Sequence, residues 1–263
     1  MDVLVVGGTG TAGRPVVREL LRRGHGVRVL SRHADGVEPG GRHAAADLTT
    51  GDGLAAAVDG VDAVVDVSNI ASLKGDLARE FFVGSTRRLV AAEAAAGVRR
   101  HVLLSIVGVD RMPTGYYKAK LAQEQALAEA ADAAGIAWSV LRATQFHDFA
   151  ALMLRQARRG PVVVVPALTV RPVATDDVAA ALADAVEGGA SGHLPVLAGP
   201  RSVRLTDMVR ALLRRRDERA VVVPLPVPGR GMALVPAPGE TARYGRGTFE
   251  AWLDLQARQE AAV

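Results

Sequence analysis

Asp2-Val3-Leu4-Val5-Val6-Gly7-Gly8-Thr9-Gly10-Thr11-Ala12-Gly13 opens the chain, and its reading decides the fold. Four apolar residues predict a first strand, Val3–Val6, and the glycines that follow it at once form G-x-x-G-x-x-G, with a helix beginning near Ala12. Small residues there let backbone approach a pyrophosphate, and a helix N-terminus offers it free N–H groups and the positive end of a dipole. Gly7, Thr9, Gly10, Thr11, Ala12 and Gly13 are therefore the expected phosphate contacts; the plainer alternative is a tight β–α turn without a ligand. With no basic n-region before it, the start reads as a strand and not as a signal peptide.

Outward from this turn, short β-branched runs alternate with alanine- and leucine-rich helical stretches. Strands are expected at Val27–Leu30, His43–Ala46, Ala63–Asp66, His101–Ser105 and Ala137–Leu141, and helices at Arg14–Arg23, Gly53–Val58, Leu77–Ala96 and Tyr116–Ala134. That alternation predicts an α/β fold, a doubly wound parallel sheet with helices on both faces. After Leu141 the rhythm breaks. Helices are expected at His147–Arg158, at Thr175–Val186 with Thr175 or Asp176 as cap, and at Thr248–Arg258; Pro161–Val165 reads as a strand, and Pro224 to Pro238 as a loop or lid. Residues 1–146 are thus the expected dinucleotide-binding core and 147–263 a smaller α+β substrate-side elaboration, interleaved as one fold unit without an internal repeat.

Composition narrows the function classes. With 263 residues, 49% of them hydrophobic, the chain can bury a full core. Zero cysteines remove disulfides, thiolate metal sites and a cysteine nucleophile. No apolar run is long enough to span a membrane, so a cytoplasmic protein without a membrane partner is expected. Although the pI is about 9.9, the net charge is only +4 and the arginines are scattered, which argues against a nucleic-acid partner. The six histidines show no metal-ligand spacing, so no metal is implied. Oligomeric state is not readable from the sequence.

Two of the three tyrosines and two of the three lysines cluster in Tyr116-Tyr117-Lys118-Ala119-Lys120. Tyr116 and Lys120 stand as Tyr-x-x-x-Lys, which on a helix puts phenol and ammonium on one face, a turn apart. At the end of the second strand, where an acid would accept from the adenosine ribose, the chain has Ser31-Arg32-His33. A guanidinium suits a 2′-phosphate, so Ser31 and Arg32 point to NADP(H) in preference to NAD(H), with Arg14 as a possible second positive group or a plain first-turn arginine. Asp47 and Leu48, after the third strand, are candidate adenine contacts, and Asp47 equally suits a turn cap.

With these motifs the chain resembles the atypical and extended branch of the short-chain dehydrogenase/reductase superfamily, built on the Rossmann fold. It is most similar to its NmrA-like and nucleoside-diphosphate-sugar-epimerase-like NAD(P)H-binding members, through about residue 215. Further stretches carry the likeness: Leu104 to Asp110, Leu141 to Phe146, and Thr175 to Ala179. The resemblance implies Tyr116 as acid/base, Lys120 as ribose ligand and modulator of the tyrosine, and Ser105 as a substrate-orienting serine. An ammonium about 5 Å away at an effective dielectric of ~20 would favour the phenolate by about 3 kcal/mol, lowering its pKa from ~10 by roughly two units. The serine departs from the pattern, because the positions where a second hydroxyl is common hold Ile106 and Val107; Ser105 thus reads equally as a strand-end residue facing the cofactor. The resemblance also places Ser68 and Asn69 beside the nicotinamide ribose through their backbone, and Gln145, Phe146 and His147 on the substrate side, His147 also fitting a plain helix start. Three functions follow: an NADPH-dependent reductase of a small-molecule carbonyl, enone or quinone; an epimerase or dehydratase with tightly held NAD(P); and a non-catalytic NmrA-type NADP sensor of a protein partner.

Overall fold

The structure is a computed structural model that describes residues 1–70, 75–112, 114–189, 191–226 and 233–260. The chain runs β1 (Asp2–Val6), α1 (Gly13–Arg22), β2 (Gly26–Ser31), β3 (Arg42–Ala45), α2 (Leu54–Val58), β4 (Ala63–Asp66), α3 (Gly75–Ala96), β5 (Arg100–Ile106), α4 (Gly115–Ala134) and β6 (Ala137–Ala143). It continues with α5 (Phe149–Ala157), β7 (Arg158–Arg159), β8 (Val162–Pro166), β9 (Thr169–Val170), α6 (Thr175–Glu187) and β10 (Gly192–His193). The last elements are β11 (Val196–Ala198), β12 (Val203–Arg204), α7 (Leu205–Arg215), β13 (Val221–Leu225), β14 (Ala233–Leu234), β15 (Ala242–Tyr244) and α8 (Phe249–Glu260).

Two compact units emerge: Met1–Arg142 with Val178–Pro195, and Ala143–Asp177 with Val196–Val263. The first holds a parallel sheet in the order β6-β5-β4-β1-β2-β3, with β10 parallel to β6. This is the doubly wound Rossmann arrangement expected from the alternation. Its register sets Val3 to Val6 beside Val27 to Leu30 on one side and Ala63 to Asp66 on the other. With β1 inside the sheet and helices over both of its faces, its four apolar residues form a continuous buried run and do not alternate. Leu4, Val6, Leu30 and Val64 pack on one face with Leu54 and Val58 of α2 and Leu89 of α3. Val90, Leu103, Leu127 and Val140 form a second cluster where α3 and α4 meet β5 and β6. α1 buries Val16, Val17 and Leu20, and Arg23 beyond its end reaches Asp184 and Glu187 of α6 at 3.0 and 2.7 Å. The segment 178–195 therefore belongs with the dinucleotide fold, while the sequence boundary at 146 falls inside the second unit's first stretch.

The second unit carries a three-stranded sheet β13-β8-β7, another of order β12-β9-β14, and β11 pairing in parallel with β15 and with Ala143. Here several expectations are corrected. The helix expected from His147 begins at Phe149, and Thr175 and Asp176 lie inside α6 and do not precede it. The next acid, Asp177, is turned to another task, accepting the Gly247 N–H at 3.0 Å. Pro224 belongs to β13 and not to a loop; β13 lies at the edge of its sheet, where a missing N–H is tolerated. Residues 227–232 of the expected lid lie outside the described residues.

Candidate active site

The phosphate turn is built from close approaches that only glycine allows. Gly7 has φ +79°, and a Cβ there would stand 3.0 Å from Ser68 Cα and from Val67 O, where β4 ends beside β1. At Gly13 a Cβ would come 2.1 Å from Gly7 O and 2.5 Å from Gly8 Cα, so the start of α1 is pressed against the turn. Gly10 is less constrained: its Cβ would meet only Gly7 O, at a tight 3.3 Å. No side chain caps α1 and no acid stands in its first turn, so its N-terminal N–H groups and dipole are not opposed by a carboxylate. The turn also lies at the switch point between β1 and β4, where this fold takes its ligand. Bare backbone and an uncapped helix N-terminus suit a dinucleotide pyrophosphate.

At the end of β2, Ser31 donates its hydroxyl to His33 O at 2.5 Å, and Arg32 and His33 are exposed. Arg14 donates to Thr9 O at 3.1 Å and reaches Gly36 in the loop after β2. Two guanidinium side chains thus flank the glycine turn and the β2 terminus. Asp47 forms a turn with Thr49 N–H at 2.7 Å, and that bond, helped by the Arg32 charge, holds its carboxyl below the usual range. Leu48 packs against the α2–α3 core, and its carbonyl accepts from Arg88.

Tyr116 and Lys120 sit a turn apart on α4, as their spacing requires, but their polar ends are occupied differently. The Tyr116 phenol donates to Asn69 Oδ1 at 2.8 Å and meets the Phe82 ring edge-on at 5.8 Å. The Lys120 ammonium, on a residue only 3% exposed, donates to Leu104 O at 3.0 Å and Gln123 Oε1 at 2.6 Å and lies 4.8 Å over the same Phe82 ring. The expected lowering of the tyrosine is corrected: burial, joined by the Tyr117 phenol, pushes Tyr116 up to about 12. Lys120 is pushed down to about 8 by burial, against the pull of Asp66 and Glu124. In this arrangement Tyr116 is a firmly protonated phenol, suited to giving a proton rather than to taking one. Ser105 and Ser68 are buried, and neither hydroxyl has a hydrogen-bond partner among the described residues. Such orphaned hydroxyls, Ser68 beside the glycine turn and Ser105 on β5 next to the Leu104 carbonyl that Lys120 holds, fit a site that expects a polar ligand.

The sequence reading missed the side-chain role of Asn69, whose Oδ1 also accepts the Ile70 N–H at 2.8 Å. It also missed the buried network under Lys120: Gln123 donates to Asp66 at 3.1 Å and Thr86 at 3.2 Å, and His101 pairs with Glu93 at 2.9 Å. The place of Gln123, three residues beyond Lys120 on one helix face, was the available signal.

In the second unit, Gln145 and His147 are buried and Phe146 bridges Val173. His147 Nε2 donates to Pro172 O at 3.2 Å, and the ring lies against Phe249 and Trp252. Burial lowers its pKa, against the Pro172 contact and the Asp177 and Glu250 charges, so the imidazole is neutral. Among the described residues no group of three or more acids and histidines could hold a metal ion. No helix among them is long and apolar enough to cross a membrane.

Residues 7–188 match the NAD(P)H-binding family. The chain is 30% identical over 249 residues to the chloroplastic divinyl chlorophyllide a 8-vinyl-reductase of Oryza sativa subsp. indica, covering 86% of this chain and 62% of the relative. It therefore spans about three fifths of that relative's length. The photosystem II assembly factor Ycf39 of Synechocystis is 32% identical over 117 residues, covering 43% of this chain and 36% of the relative. Among solved structures, the Thermus thermophilus UDP-glucose 4-epimerase complex with NAD superposes with TM-score 0.80 at 23% identity, covering 100% of both chains. The likeness to the short-chain dehydrogenase/reductase superfamily drawn from the sequence stands.

Proposed function

The chain belongs to the NAD(P)H-binding family, and on that premise we propose that it is an NADPH-dependent reductase of a small molecule bearing a carbonyl, an enone or quinone system, or a conjugated carbon–carbon double bond. The observation that carries this reading is the protonated Tyr116 phenol, aimed by Asn69. When bound, the dinucleotide supplies the hydride. Gly7 to Gly13 hold its pyrophosphate, and Arg32 with Arg14 favours the 2′-phosphate of NADP over the free hydroxyl of NAD. Tyr116 gives its proton to the oxygen or carbon that becomes basic as hydride adds, and Ser105 and Ser68 offer hydroxyls to the bound ligands. Gln145, Phe146 and His147 are proposed to face the substrate. The name of the rice relative, a vinyl-reductase, supports a conjugated double bond as the group reduced.

One observation favours a second reading. Lys120 is committed to Leu104 O and Gln123 within the core, which suits a dinucleotide-binding protein without turnover. The test is a panel of enones, quinones and aldehydes with NADPH, run on wild type and Tyr116→Phe. Turnover lost in the variant supports the reductase. Tight NADPH binding with no turnover by either protein supports the second reading.

A further inference from the structure

Four of the eight large apolar side chains that stand exposed among the described residues lie on one small sheet of the second unit. They are Val164, Val221, Val223 and Leu225, at 37%, 63%, 40% and 52% exposure. The register explains the concentration. β13 runs parallel to β8 with Val221 beside Val162, Val223 beside Val164 and Leu225 beside Pro166, so these residues share one face, while Val163 and Val165 point into the core. That face is apolar and uncovered over two strands.

Its rim is cationic. Arg159 of β7 pairs directly with Val162, which puts its side chain on the same face, and among the described residues its guanidinium donates only to the Gln156 and Arg158 carbonyls. Arg214 and Arg219 line a groove with Pro161 and Val221 at the start of the two strands. Neither has a carboxylate partner among the described residues. The acids nearby are mostly spent: Asp207 pairs with Arg210, and Glu218 with Arg158, leaving Asp217 against three uncompensated arginines. A second copy of this face would bring its own arginines against these, so self-association is disfavoured by charge. A layer of anionic headgroups over acyl chains satisfies both halves of the surface, phosphates facing guanidiniums and the valine face settling at the boundary.

We propose that the β8–β13 face seats the protein peripherally on a bilayer surface carrying anionic phospholipid. No spanning helix is needed.

Co-sedimentation of the full chain with vesicles tests it, using phosphatidylcholine alone and phosphatidylcholine mixed with phosphatidylglycerol, at low and high salt. Binding is expected on the mixed vesicles, weak on phosphatidylcholine, and falling as salt rises. Removing one arginine should weaken it about fivefold, and Arg214→Glu with Arg219→Glu by more than about tenfold. Val223→Asp should weaken it comparably. All three positions are exposed, and an unchanged thermal melt shows that each variant folds. Equal binding to both vesicle types, no binding, or binding untouched by the substitutions overturns the proposal. A concentration-dependent dimer abolished by Val223→Asp overturns it in favour of a second copy, and binding to polyglutamate but not to vesicles overturns it in favour of an acidic protein.

Discussion

The Tyr116 phenol donates a 2.8 Å hydrogen bond to Asn69 Oδ1, joining the first turn of α4 to the end of β4 across 47 positions of sequence. Asn69 cannot simply turn its amide to suit, because the same oxygen accepts the Ile70 N–H. The phenol is therefore aimed by a neighbour that is itself fixed at the strand end.

Replacing Tyr116 by Phe removes the proton donor and keeps the ring packed on Phe82. Turnover should fall by about 10²–10⁴-fold, with NADPH affinity unchanged by fluorescence titration. Because the phenol is held up to about 12, wild-type activity should show no loss through its ionisation below that range.

The glycine turn separates folding from binding. Gly13→Ala forces backbone to move and should destabilise by about 2–4 kcal/mol in urea unfolding. Gly10→Ala meets only Gly7 O, at 3.3 Å, and should cost far less, about 1 kcal/mol or under. Its methyl stands where a phosphate would approach, so NADPH affinity should drop about tenfold or more.

Arg32→Ala should weaken NADPH more than NADH, narrowing the ratio of their dissociation constants by roughly tenfold. Equal losses for both nucleotides would remove Arg32 from the choice between them.

Lys120 ties stability to alkaline pH. Its pKa is pushed from 10.5 to about 8, so between these values the unfolded chain holds a proton that the folded chain has released. The unfolding free energy attributable to Lys120 should therefore rise with pH across that window, by about 3 kcal/mol in total. Urea unfolding of wild type and Lys120→Met at the two ends of the window measures it; the variant should lack the rise.

The Glu93–His101 pair acts in the opposite sense. Burial opposes the charged ring, but the Glu93 carboxylate prevails and raises the pKa of His101. Its contribution should be complete below about pH 6.5 and fade as pH rises through the folded value. Glu93→Gln should cost a few kcal/mol at low pH and flatten that dependence in unfolding measurements.

The sheet was legible because its cause is local. β1, β2, β4 and β5 announce themselves as runs rich in valine or isoleucine, and a strand followed at once by Gly7 to Gly13 has few other ways to fold. The position of Tyr116 and Lys120 on one helix was legible for the same reason. Where their polar ends point was not, since that depends on Asn69 and Phe82, distant in sequence, and on the low polarity around α4 that favours uncharged forms. The second unit was harder still. β15 is three residues long and owes its existence to its partner β11, so no run of its own marks it.

The return of Val178–Pro195 to the first unit bears on modular exchange. Grafting a foreign substrate-side portion onto this dinucleotide fold cannot be done with one splice near residue 146, because α6 and β10 would leave with the discarded piece. Arg23 would lose Asp184 and Glu187, and β6 its β10 neighbour. A workable chimera keeps residues 1–142 and 178–195 together and exchanges both 143–177 and 196–263, so an internal replacement has to accompany the one after β10.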